Sequence, residues 1–163
     1  MTECEPKRFV IDNMLGKLAK WLRILGFDAR YEHLEDQETV DSYRAQGFLL
    51  VTRKRRWYGP GVLFLTANDP VEQLREVVSL VPIVPQELRL LQRCVHCNDR
   101  LDDIDREEAF GHVPEYVFET QTSFHRCLKC NKIYWSGTHP KRMIQRLEQE
   151  LGWSILGIGG DES

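Results

Sequence analysis

RFVIDNMLGKLAKWLRILGFDARY, residues 8–31, changes rhythm twice. RFVI is a continuous apolar run, the pattern of a strand buried on both faces. After it Met14, Leu15, Leu18, Leu22 and Leu25 recur at helical spacing, and Gly26 supplies the stop. DARY reads as a second, weaker strand. A strand, a helix and a strand in this order make a βαβ unit, which implies a parallel strand pair with the helix laid across it.

Working outward, the same alternation continues. DQETVDSYRAQG predicts a polar surface helix ending at Gly47, and FLLVT a buried strand. GVLFLT predicts another strand. NDPVEQLREVVSLV predicts a helix with a marked start: Asp69 as N-cap, Pro70 in the first turn and Glu72 closing a capping box. The expected architecture is a three-layer α/β domain with a mainly parallel sheet over residues 7–90, near the low end of domain sizes.

Ligands of such sheets gather beyond the carboxyl ends of the strands. Asp12 ends the first strand, Glu35 and Asp36 follow the second, Arg53 and Lys54 the third, and Asp69 the fourth. Carboxylates converging there suit Mg²⁺ or Mn²⁺, which bind through one or two carboxylates plus substrate phosphate and activate water. Asp36 and Asp69 read equally well as helix caps. Asp12, directly after FVI at the mouth of a central strand, has little structural reason to be there. The run Arg53, Lys54, Arg55, Arg56 ends at Trp57 and Tyr58, combining cations for phosphates with aromatic faces for bases, as single-stranded nucleic acid favours; a solvated loop is the plainer alternative. Lys17, Lys20 and Arg23 line one side of the first helix behind Asp12.

The second half is organised around cysteine. CVHCN (94–98) and CLKCN (127–131) are near copies, and two C-x-x-C turns complete a tetrahedral zinc site with Cys94, Cys97, Cys127 and Cys130 as ligands. The Asn after each second cysteine tolerates the left-handed backbone such a turn demands. A redox dithiol is the alternative, but it would expect a single copy. His96, His112, His125 and His139 lie in or near this region, yet four thiolates fill a structural Zn²⁺ site and leave no open position. Cys4 remains as a free thiol. The insert between the knuckles begins acidic, as a solvated loop. KIYW predicts a strand whose Tyr134 and Trp135 pack a small core, with stacking on bases as the alternative. Thr138 caps a helix entered at Pro140, with an apolar stripe of Met143, Ile144, Leu147 and Leu151 ending at Gly152. That stripe is expected to dock on the rest of the protein, while Lys141, Arg142 and Arg146 extend a nucleic-acid surface. The ribbon with its helix spans 91–152 and a tail 153–163, where Trp153, Ile155, Leu156 and Ile158 could seat on the body or on a protein partner.

Composition sets the outer bounds. With 163 residues, 42% hydrophobic, 29% charged and a formal charge of −3, the chain has the make-up of a globular protein without a uniformly nucleic-acid-coating surface. It shows no signal-peptide pattern and no apolar run of membrane-spanning length, so the expected location is the cytoplasm, with no membrane association. Five cysteines in such a chain are not a disulfide framework.

With both halves read, the sequence resembles the Mut7-C family, a PIN-like ribonuclease domain followed by a zinc ribbon. DNMLGKLAKWLRILGFDARY is similar to the family's opening strand, acid and helix, DPVEQLREV to its last PIN-like helix, and RCLKCNKIYWSGTHPKRM to its second knuckle. The resemblance implies a PIN-like parallel sheet, an acidic Mg²⁺ or Mn²⁺ site and single-stranded RNA as substrate. Asp12 matches the family's first acid, and Asp36 and Glu38 the acidic positions at the start of the second helix. Asp69 completes the set of acids expected at the catalytic edge. The departure is at the third strand, where the family's Thr-Arg-Asp is here Thr52-Arg53-Lys54. At a few ångströms a lysine repels a divalent ion by several kcal/mol, at an effective dielectric of about 20. Two readings follow: a metal-dependent ribonuclease, or an RNA-binding or protein-docking adaptor in which Lys54 holds phosphate.

Overall fold

The computed structural model describes residues 6–136 and 138–152, without the side chains of 138–141 and 143. The expectations for the Thr138 cap, for Lys141 and Met143, for Cys4 and for the 153–163 tail therefore lie outside the described residues. Four parallel strands form the main sheet in the order β2-β1-β3-β4: β1 is Arg8–Asp12, β2 Asp28–Glu32, β3 Leu49–Thr52 and β4 Val62–Phe64. β1 is central because Phe9, Val10 and Ile11 are apolar on both of its faces, and all three are fully buried. Alternation then assigns them to two cores. Phe9 and Ile11 join the larger cluster, under α1 (Gly16–Ile24) and α3 (Pro70–Leu80), whereas Val10 packs with Leu34, Val40, Phe48, Leu50 and Trp57 under α2 (Gln37–Ala45). Helices thus cover both faces and give the expected three layers.

Each helix boundary has a local cause. Gly26 ends α1 at φ +99°, and a Cβ there would come within 2.4 Å of the Arg89 carbonyl oxygen, so only glycine fits. Asp69 caps α3 by accepting from the N–H groups of Val71 (3.0 Å) and Glu72 (3.2 Å). Glu72 lies 3.8 Å from Arg75 and does not close the expected capping box. Met14 also departs from expectation. Residues Asn13–Leu15 form a 3-10 turn ahead of α1, which takes Met14 off the helical stripe and leaves it 44% exposed.

Beyond the main sheet, β5 (Asp102–Ile104), β6 (Phe124–Arg126) and β7 (Ile133–Tyr134) form an antiparallel sheet in that order. Two short helices, α4 (Arg106–Ala109) and α5 (Glu115–Thr120), interrupt the acidic insert. Its core is small: Ala109, Val117, Phe124 and Ile133, with Trp135 against them. α6 runs over Thr138–Leu151. Its Ile144 and Leu147 are buried in the larger core beside α3, and Leu151 packs against it, so this part of the stripe is covered by the chain itself. No helix among the described residues is long and apolar enough to cross a membrane.

Candidate functional site

Asp12 is fully buried at the carboxyl end of β1. Its Oδ1 accepts from the backbone N–H of Asn13 (2.9 Å) and of Leu34 (3.2 Å), and its Oδ2 accepts from the Thr52 hydroxyl (2.6 Å). The sheet register makes these contacts: Ile11 lies beside Val51, which places Asp12 next to Thr52, and Asp12 itself pairs with Glu32 of β2. Lys54 then turns back over the edge. Its Nζ donates to the Leu34 carbonyl (2.7 Å) and stands 3.6 Å from Asp12 Oδ2. The Trp57 indole donates to the same carbonyl (3.2 Å) from the core beneath α2.

The four cysteines come together as the spacing predicts. Their sulfurs all lie within 4.8 Å of one another, with Cys94 and Cys130 Sγ at 3.7 Å. Tetrahedral zinc with Zn–S bonds of about 2.3 Å separates its sulfurs by about 3.8 Å, so the thiols fit that ion. The knuckles are built alike: Asn98 N–H donates to Cys94 O and Asn131 N–H to Cys127 O, and both asparagines have positive φ (66° and 64°). Burial would raise the Cys94 thiol, but hydrogen bonds from the Tyr134 hydroxyl and the Cys97 and His96 amides bring it down to about 7. Burial and the neighbouring thiols push Cys97 up to about 12, and burial also raises Cys127. The thiols therefore resist ionising together without a cation among them.

The model of the Mut7-C RNAse domain matches residues 7–147, most of the chain. The chain belongs to the Mut7-C RNAse domain family. No curated protein and no solved structure matches it.

Within this Mut7-C chain the other expected site residues are placed as follows. Asp36 is the exposed N-cap of α2, accepting from the Thr39 N–H at 2.7 Å, and that bond holds its carboxyl below the usual range. Glu38 is exposed in the first turn of α2. Asp69 caps α3 and lies 3.5 Å from Arg146. Among the described residues these acids do not converge with Asp12 as the thiols do. Arg53, Arg55 and Arg56 are exposed beyond β3, Arg55 over the Phe64 ring and Arg56 over the Trp57 ring, and Tyr58 is 77% exposed beside them. Trp57 is core and not the stacking face the sequence suggests. Lys17 and Lys20 are exposed on α1. Arg23 is buried, donating to the carbonyls of Ala29, Val95 and His96. Pattern alone does not single out Thr52 or Glu32, since a hydroxyl or an acid at a strand end carries no spacing signal; only the strand register brings them to Asp12.

Proposed function

We propose that this protein is a ribonuclease acting on single-stranded RNA at the carboxyl edge of its parallel sheet, with Asp12 as the central acid. The observation that carries the reading is Asp12 itself: a fully buried carboxylate with both oxygens fixed, at the mouth of a central strand, in a chain of a ribonuclease family. Burying such a group costs several kcal/mol, which packing alone gives no reason to bear. Arg53, Arg55 and Arg56 supply cations for phosphates on that edge and Tyr58 a ring for a base, with Lys17 and Lys20 extending the surface. In this reading residues 7–90 carry the chemistry, and a structural Zn²⁺ on the four cysteines shapes the ribbon in 91–152.

Mg²⁺ or Mn²⁺ is the ion such an edge is expected to hold, but the side chains as they lie do not fit it. Lys54 Nζ faces Asp12 Oδ2 where a cation would stand, and Asp36 is engaged in capping α2. No step through a metal follows from this arrangement. Lys54 therefore favours a second reading, RNA binding without cleavage, in which the ammonium holds a phosphate.

End-labelled single-stranded RNA incubated with Mn²⁺, with Mg²⁺ or without added divalent ion separates the two. Cleavage by the parent that is lost in Asp12→Asn supports the nuclease. Binding without cleavage, with metal-dependent cutting appearing in Lys54→Asp, supports the second reading. A parent that neither binds nor cuts overturns both.

A further inference from the structure

Between the edge strand β2 and the first zinc knuckle lies a polar cleft of about 790 Å³. Its walls are locked together. Asn98, the left-handed residue closing the knuckle, donates to Asp28 Oδ1 (2.6 Å) and accepts from the Ala29 N–H (3.0 Å). Arg23 reaches from α1 to the Val95 carbonyl at 2.7 Å and the His96 carbonyl at 3.3 Å, and Arg93 donates to the Asn98 carbonyl at 2.8 Å. Hydrogen bonds from charged donors are the strong ones, so Arg23 holds the knuckle on α1, and Asn98 holds it on β2.

The charge left facing solvent in this cleft is uneven. The cleft is lined by three carboxylates, of which Asp28 is bound to Asn98 and Glu32 accepts from the Tyr43 hydroxyl at 2.7 Å, both keeping their charge, and by five cations, Arg23, Arg30, Arg93, Arg100 and Lys129. Asp99 is exposed. Against it stand two exposed cations from the two knuckles, Arg100 beside the first and Lys129 within the second, while Arg30 on β2 lies over the Phe48 ring at 4.7 Å. Tyr31 is half-exposed at the end nearest the sheet's carboxyl edge. Its hydroxyl donates to the carbonyl of Asn13, the residue next to Asp12. Tyr31 thus ties the cleft's lining to the residue that follows Asp12.

We infer that this cleft is a second binding site for single-stranded RNA, taking the strand as it leaves the Asp12 edge, with phosphates on Arg100 and Lys129 and a base on the Tyr31 ring. The inference rests on the reading that the Asp12 edge engages RNA. The zinc ribbon then takes part in recognition, because the knuckle is one wall of the channel and the metal keeps that wall in shape. Cations tracking a backbone and a ring for stacking are what sequence-tolerant single-strand binding needs.

The test is equilibrium binding of labelled single-stranded oligouridine to the zinc-loaded protein over a salt series. The variants are Arg100→Glu with Lys129→Glu, Tyr31→Ala, Tyr31→Phe, and Arg55→Glu with Arg56→Glu for the Asp12 edge. Arg100 and Lys129 are exposed, and zinc content checks that the knuckles persist. The cleft pair is expected to weaken binding by about tenfold or more and to flatten the salt dependence by about 0.7 in log–log slope for each phosphate no longer neutralised. Tyr31→Ala is expected to weaken binding with the slope unchanged, and Tyr31→Phe, which keeps the ring, to bind like the parent. If the edge pair weakens binding while the cleft pair leaves affinity and slope at parental values, the cleft is not a binding site and the RNA reading stands. If the parent does not bind the oligonucleotide, the RNA reading fails and the cleft with it.

Discussion

Asp12 and Lys54 are each placed by what the other needs. The carboxylate is sealed from water and holds two backbone N–H groups and the Thr52 hydroxyl, and the lysine supplies its nearby positive charge. Truncating Asp12 to alanine strands all of these at once. Asp12→Ala is expected to lose about 3–5 kcal/mol, the range for breaking a buried pair from one side. Lys54→Met leaves the buried carboxylate without its nearby positive charge but keeps its three hydrogen bonds, and the lysine side chain is 23% exposed, so the loss should be smaller than that of Asp12→Ala. Urea unfolding of the two variants with zinc present checks both, and equal losses would show that the ion pair, not the hydrogen bonds, holds the site. The place of Asp12 at the mouth of β1 was legible in the sequence because the acid directly follows the apolar run FVI. Lys54 was legible as a cation out of place. That its ammonium would reach the Leu34 carbonyl was not, because this depends on the path the chain takes after β2.

The acids at the helix starts show where pattern reading stops. Asp69 and Asp36 each fitted two roles, cap or site, and their positions in sequence serve both equally. In the structure their oxygens are on helix N–H groups. Asp69→Ala is therefore expected to lower stability by about 1 kcal/mol, while Asp69→Asn, which still caps, should lose little. Thermal melts of the two variants side by side check this, and an equal loss in both would point to the Arg146 contact instead. The strands and the long helices of the first half were readable because their apolar periods are strong: β1 and β3 as continuous runs, α3 from Asp69 and Pro70. β5, α4 and α5 were not. They are short, acidic or mixed in composition, and rely on four buried side chains and the knuckles for their shape. Trp57 shows a similar limit, since an aromatic ending a basic run reads as a stacking face until the fold turns it inward.

At the scale of the whole molecule the two sheets are unequally endowed. The parallel sheet has a core that α1, α3 and α6 share, whereas the antiparallel one has Ala109, Val117, Phe124 and Ile133. A core that small does not hold a fold by itself, and a zinc ion on the four thiols would be the staple that makes up the difference. Since zinc binding and folding of such a unit are one equilibrium, chelation should melt the knuckles without melting the main sheet. Hydrogen exchange resolves this residue by residue. The Asn98 and Asn131 amides, bonded within the knuckles, should lose protection when zinc is removed, and those of Leu50 and Leu65, bonded within the parallel unit, should keep theirs. Arg23 sets how far the damage spreads. With the knuckle gone it loses the Val95 and His96 carbonyls, keeps that of Ala29 and exchanges two fixed acceptors for water, which loosens its hold on α1 and β2. A modest, uniform fall in the protection of α1 and β2 is therefore expected alongside the local melting, and Arg23→Met should remove that coupling while leaving zinc bound. If the amides of β1 and β3 open together with those of the knuckles, the metal is holding the entire chain and the ribbon is no separable part of it.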